Sequence, residues 1–408
     1  MLVFPTLALL LASLSSAARI DLVRDEASHD ASIEADMQYV LHKYAAIARH
    51  HYNRTGEHLN IVNLEYVDQL RANAQKRASS QTRLRKSKNW SGQIEVGFPP
   101  QKSLVVFDTG SADLFVDKSS YHPKLSLTSK NVHKPFDFSY ETLHVYGDVY
   151  IDDVSIGGVK AKQVPLGHGS KDFDGEVTGG TLGLSFATAE NRVHGFEQDP
   201  FMWAAKKQHL IQSSTYQFTL RPNGKATLNV GKIDLFELGG LITWSDKNTD
   251  KTFWRTTVEF NGHKMENALL DTGTNVITGP NDQIKDILDQ IDGMDVQVLE
   301  DGSYQGTYDC RHPPNLEFKV LGQTFKLPEE ALNFGYAGDK CFSSIIGSPG
   351  MNEWLLGSPF FQVGSIIFNF DVRRMGIAKS ATRKVADDGA QLDEGGAAEP
   401  FGPTWGAK

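Results

Sequence analysis

Cysteine is nearly absent: the 408 residues contain two, Cys310 and Cys341, both late in the chain. Neither belongs to a CxxC pair and no histidine cluster lies nearby, so a zinc site or a catalytic thiol has no ligand set to draw on. In an exported protein the two would join each other, closing a loop worth roughly 3–4 kcal/mol in the chain-entropy model. A basic surplus is also missing. The net charge of −9 excludes a nucleic-acid footprint. No internal apolar run approaches the length of a membrane span, so no membrane partner is expected. The sequence has no GxSxG turn, no HExxH and no P-loop, which removes the usual serine, zinc and nucleotide chemistries.

What is present begins with MLVFPTLALLLASLSSAA, an apolar run at residues 7–11 followed by small residues up to Ala18. This reads as a signal peptide over residues 1–18, although it lacks a basic start beyond the α-amino group; the alternative is a buried N-terminal helix. Residues 19–86 read as a charged, helical propeptide, with Met37, Val40, Leu41, Tyr44 and Ile47 near a helical period. Within it the adjacent His50 and His51 read as solvated. Its end carries the dibasic Lys76 and Arg77, then Arg83, Arg85 and Lys86, so Lys76 and Arg77 are the expected processing site. Asn53 and Asn89 open N-glycosylation sequons, and Asn89 would remain on the mature protein.

After Trp90 short alternating strands are separated by turn signals: Gly157 with Gly158, Asn223 with Gly224, Asn261 with Gly262. One helix stands out, NDQIKDILDQI, with Ile284, Ile287, Leu288 and Ile291 on one face and Asn281 as its cap. The protein is mainly β. From residue 381 to 408 the chain turns acidic and rich in Gly and Ala without periodicity, a disordered tail.

Two stretches repeat each other. VVFDTGSADLFV centres on Asp108 and NALLDTGTNVITGP on Asp271: apolar run, Asp-Thr-Gly, small hydroxyl residue, apolar run. Each half later carries an apolar-apolar-Gly run, ending at Gly183 and at Gly357. A single Asp-Thr-Gly is adequately read as a β-turn with a solvated Asp. Two in matching contexts suggest a pair of carboxylates. Such a pair cannot ionise twice cheaply, so one acid keeps its proton while the other is charged, which suits general acid–base chemistry.

Together with WSGQIEVGFPPQ, LLGSPFF and SIIFNFDVRRMGIAKS, these motifs resemble the pepsin-like aspartic endopeptidases, most closely secreted fungal members, over residues 89–379. The resemblance implies a bilobal, mainly β fold. One lobe would span residues 87–224 and the other 225–380, each giving one catalytic Asp to a central cleft. Asp108 and Asp271 would be catalytic. Gly110 and Gly273 would let backbone N–H groups approach them, Ser111 and Thr274 would donate to the outer oxygens, and Thr109 and Thr272 would brace the two loops. Protein or peptide substrates are implied, along with the protein's own propeptide as a partner, a monomeric state, no metal or cofactor, and secretion, with a vacuolar destination sharing the same signal. Propeptide basic residues would pair with the dyad, and acid would protonate propeptide carboxylates and loosen them.

The chain departs from that pattern at the flap. Tyr140 falls at the substrate-facing position, but Glu141, Thr142, Leu143 and His144 follow it in place of glycines, with Tyr146 as a competing ring. Phe115 replaces a tryptophan, Ala112 a serine, and Asn275 a serine or threonine. These changes motivate a second reading, a catalytically weak pepsin-like protein that binds a protein or peptide.

Overall fold

In the computed structural model, residues 17–24, 33–76, 89–140, 143–172, 179–188, 196–221 and 226–381 are described. Residues 1–16 of the expected signal segment, Arg77 and the tail from residue 382 lie outside these residues. Among them, one sheet has 13 strands and a second has 10. The alternating sequence dictates this: in Trp90–Val96 and Gln101–Asp108 the inward positions are apolar and pack into one core with Phe107, Val105 and Ile94. This is the expected bilobal, pepsin-like architecture.

The larger sheet runs from the N-terminal lobe into strands of distant origin. Its order passes from Gln101–Asp108 through Trp90–Val96, Ala18–Arg24, Ala226–Val230, Thr215–Thr219 and Ser365–Asn369 to Arg374–Ala378. The closing strands therefore join this sheet and not that of the second lobe. A boundary at residue 224 would fall between Thr215–Thr219 and Ala226–Val230, which pair antiparallel with Leu228 opposite Phe218.

The strand Ala18–Arg24 corrects the reading of residues 19–86 as helical. Ala18, Ile20 and Leu22 are buried while Arg19, Asp21 and Val23 face outward, a period of two that the charged residues obscured. Ala18 pairs with Val230 and is fully buried, so a signal boundary after residue 18 would cut inside a paired strand. Helices follow: α1 (Ile33–Thr55) and α2 (Leu64–Lys76), the latter ending at the expected processing residue Lys76. His51, read as solvated, is buried on α1.

Turn signals performed as read where they are described. Asn261 and Gly262, with φ of 48° and 84°, join Arg255–Phe260 to His263–Leu270, and Gly157 with Gly158 joins Leu143–Ile156 to Val159–Asp172. Asn223 and Gly224 lie outside the described residues. Asn281 does not cap its helix: Pro280 holds that position, and the Asn281 amide donates to the Gly302 carbonyl at 3.0 Å. Cys310 and Cys341 are bridged.

Candidate active site

Each Asp-Thr-Gly lies at the end of a buried strand, Gln101–Asp108 in one lobe and His263–Leu270 in the other. A parallel strand flanks each. Asp108 pairs in register with Gly183, and Leu270 with Leu356 immediately before Gly357. Those glycines are steric requirements: a Cβ at Gly183 would meet the backbone after Ala112 at 2.5 Å, and one at Gly357 the Thr274 carbonyl at 2.5 Å. The repeated apolar-apolar-Gly runs thus support the two turns from behind.

The turns lock together through their threonines. Thr109 N–H donates to Thr272 Oγ1 at 3.0 Å, and Thr272 N–H donates to Thr109 Oγ1 at 2.9 Å. Each hydroxyl donates onward across the axis, Thr109 to the Leu270 carbonyl at 2.9 Å and Thr272 to the Phe107 carbonyl at 2.6 Å. All four groups are buried, so each bond broken would strand a partner.

The carboxylates meet at the centre. Asp108 accepts from Gly110 N–H at 2.9 Å and from Ser111 Oγ at 2.5 Å; Asp271 accepts from Gly273 N–H at 2.8 Å and from Thr274 Oγ1 at 2.6 Å. Two near-identical donor sets result. The glycines also make room for the opposite acid. A Cβ on Gly110 would stand 2.5 Å from Asp271 Cγ, and one on Gly273 2.7 Å from Asp108 Cγ.

Sequence reasoning missed what sits between them. Lys43 on α1 donates from Nζ to Asp108 Oδ1 at 2.9 Å and to Asp271 Oδ2 at 3.0 Å. Tyr44 adds its hydroxyl to Asp271 Oδ2 at 2.8 Å. Lys43 is 2% exposed, flanking the apolar stripe of α1. The available signal was that stripe itself: Met37, Val40, Leu41 and Tyr44 face a core, which turns the adjacent lysine inward.

The rest of α1 fills the cleft from both sides. Met37, Val40, Leu41, Tyr44 and Ala45 share a cluster with Phe253, Val276, Phe334, Ile346 and Met351 of the second lobe. Tyr39 packs against the cluster of Phe136, Val149 and Phe196 of the first. Asn275, at a position where the family usually has a hydroxyl residue, donates to Asp36 of α1 at 3.2 Å. Behind the helix, Asn63 N–H donates to the Gly350 carbonyl at 2.8 Å, and Arg49 binds Asp68 of α2 at 2.5 Å.

Counting donors explains the electrostatics. Asp271 receives four, from Gly273, Thr274, Lys43 and Tyr44; Asp108 receives three. Burial raises Asp108 to about 6, with Lys43 opposing and the Asp271 charge reinforcing the rise. Burial pushes Asp271 up as well, but Lys43 and the bonds to it outweigh burial and bring it to about 2. Lys43 itself is driven down by burial and further up by the two acids, and ends well above its ordinary value. As pH falls with α1 in place, Asp108 is thus the more readily protonated member of the pair.

At the described ionic contacts between the N-terminal segment and the lobes, the cations, Lys43 and Arg19, belong to the segment and the acids to the lobes: Asp108, Asp271 and Glu237. A basic residue of that segment thus pairs with the dyad, while its carboxylate Asp36 meets the neutral Asn275.

Other expected residues are less central. Tyr140 ends the strand Lys130–Tyr140 in register with Leu143, but its side chain, like Glu141 and Thr142, lies outside the described residues. Tyr146 is partly exposed. Phe115 stands edge-on to Phe136 with centroids 6.0 Å apart. Asn89 is half-buried with its Oδ1 enclosed.

The family model described as "Eukaryotic aspartyl protease" matches residues 89–380. "Secreted aspartyl protease 1" of Malassezia globosa is 35% identical over 72% of this chain and 73% of its own. "Aspartic protease" of Phaffia rhodozyma is 30% identical over 71% of this chain and 76% of its own. A second Malassezia globosa protein, "Probable inactive secreted aspartyl protease", is 29% identical over 71% and 78% respectively. With its paired Asp-Thr-Gly turns braced across the two lobes, the chain belongs to the eukaryotic aspartyl protease family and is an aspartic-type endopeptidase.

Proposed function

We propose that this chain is the inactive precursor of a secreted, acid-active endopeptidase in which Asp108 and Asp271 activate one water against a peptide bond. The observation that carries the reading is the matched donor sets on two carboxylates that share one ammonium. With α1 withdrawn, each acid keeps one glycine N–H and one hydroxyl. A nearly symmetric pair holding one proton is then left to take a proton from water and protonate the substrate carbonyl. Thr109 and Thr272 brace the turns, and Ser111 and Thr274 orient the carboxylates. Residues 19–86 act as the propeptide: Lys43 and Tyr44 close the dyad until a cut at Lys76 and Arg77 and acidification release them. The substrates are proteins in extended form, and the apolar surface beneath α1, including Phe334 and Met351, favours apolar side chains near the cleaved bond.

A second reading is a weakly catalytic binding protein. It is favoured by the flap sequence, and by a relative described as inactive; the complete Asp-Thr-Gly pair opposes it. One experiment separates the two. The precursor is preincubated at acid pH and assayed on an unfolded protein from about pH 2.5 to 7, beside Asp108→Asn. Acid-dependent cleavage that the substitution abolishes supports the endopeptidase. A folded, propeptide-free protein that cuts nothing refutes it.

A further inference from the structure

The turn joining Trp90–Val96 to Gln101–Asp108 carries Phe98, 51% exposed. Beside it runs the turn Pro123–Leu125 and its continuation, where Leu125 is 63% and Leu127 82% exposed. The two turns are bonded to each other. Leu127 N–H donates to the Phe98 carbonyl at 2.7 Å, and Phe98 N–H to Ser126 Oγ at 3.1 Å. Gln101 and His122 exchange a further pair, at 3.1 and 2.9 Å. Single exposed apolar residues need no explanation, but three on two cross-bonded turns form a built apolar tip.

Lysines surround it. The Lys160 ammonium lies 5.4 Å from the Phe98 ring centroid, Lys124 is exposed beside Leu125, and Lys102 is exposed next to Gln101. The acids at hand are each held: Asp153 stands 3.4 Å from Lys160, Glu95 lies opposite Lys102 in the strand register, and the buried Asp152 accepts from the Tyr121 and Thr128 hydroxyls. Lys124 pairs with no carboxylate among the described residues.

Apolar side chains at a tip, with long cationic side chains around them, suit the boundary of a bilayer whose headgroups are anionic: the rings and branched chains enter while the ammonium groups stay with the phosphates. We propose that this tip docks the protein on a membrane surface carrying anionic lipid. The strand Gln101–Asp108 separates the tip from the dyad by about 23 Å at ~3.3 Å per residue. Docking at one end therefore leaves the cleft at the other end open. The inference does not depend on the proteolytic reading.

The test is co-sedimentation of the full chain with vesicles of equal phosphatidylglycerol and phosphatidylcholine, against pure phosphatidylcholine, at low ionic strength. The expected result is binding to the anionic vesicles only. It should fall about tenfold or more in Phe98→Ser/Leu127→Ser and in Lys124→Glu/Lys160→Glu, with cleavage of a soluble peptide after acid treatment unchanged. The charge variant lies wholly on the surface, so the idea stays testable if the apolar variant folds poorly. Absence of binding by the unaltered chain overturns the proposal, as does binding that both variants retain. Self-association by sedimentation velocity that the apolar substitutions abolish would also overturn it, by making a second copy the occupant.

Discussion

Lys43 reaches Asp271 at 3.0 Å across 228 positions of the sequence, and the same ammonium reaches Asp108 at 2.9 Å. Both acids are thereby engaged by one residue of the N-terminal segment, on α1. The ionic contact is buried on every side, so its loss should have a large effect.

Lys43→Met keeps most of the side chain's length and its apolar stem and removes the charge. Two buried carboxylates would be left without their cation, at a cost of roughly 3–5 kcal/mol to the docked state. Self-cleavage of the precursor at pH 6 should speed up by at least about tenfold. An unchanged rate would show that Lys43 does not hold the helix.

The pH dependence follows from the two acids. Asp108 is raised to about 6, mainly by burial, so its protonation does not count against the docked state. Asp271 is depressed to about 2; its contribution is complete above its ordinary value near ~4 and is lost as pH falls through the depressed one. Protease accessibility of α1 should therefore rise as pH falls from about 4 towards about 2, the window set by Asp271. Release that is independent of pH over this range would contradict the assignment.

Glu237 ties the first strand to the sheet. It receives Arg19 Nη1 at 3.0 Å and Arg221 Nη2 at 2.7 Å. Burial raises its pKa, but Arg221, then Arg19 and Thr227, outweigh burial and lower it. That stabilisation is present above its ordinary value near ~4.5 and lost as pH falls through the depressed one. In Glu237→Gln, amide exchange across Ala18–Arg24 should be faster at neutral pH and lose much of its acid dependence.

Gly110→Ala tests the close approach of the acids. The new Cβ would fall 2.5 Å from Asp271 Cγ and 2.6 Å from the Tyr44 hydroxyl. Stability should drop by about 1–3 kcal/mol. After activation kcat should fall roughly 100-fold with KM little changed, because the carboxylates are displaced and the subsites are not. A variant with normal kcat would mean that the turn relaxes without moving the dyad.

Thr272→Val removes the hydroxyl that accepts from Thr109 N–H and donates to the Phe107 carbonyl. Two buried groups lose partners, at about 1–3 kcal/mol each. Thermal unfolding should shift down by a few degrees, roughly 1–2 °C per kcal/mol for a chain of this size. A shift under one degree would argue that water replaces the hydroxyl.

The two Asp-Thr-Gly turns were legible because each part has a local cause: apolar runs make buried strands, glycine permits close approach, and the hydroxyl three residues after each Asp reaches back to it. The strand Ala18–Arg24 was legible in principle through its alternation, but short charged segments give weak periodic signals and the neighbouring helix dominated the reading. The roles of Arg19 and Lys43 had no such signature. A lysine in a charged helix looks the same whether it faces water or a carboxylate more than two hundred residues away.

The sequence by itself determined the reaction-bearing turns, the β class, the two halves and a helical segment ahead of them, since all follow from composition and spacing within a few residues. Only the tertiary structure decided which cation meets the acids, that one ammonium is shared between them, and that the first strand sits inside the main sheet. Those are properties of distances between remote parts of the chain, and electrostatics and burial act through distance.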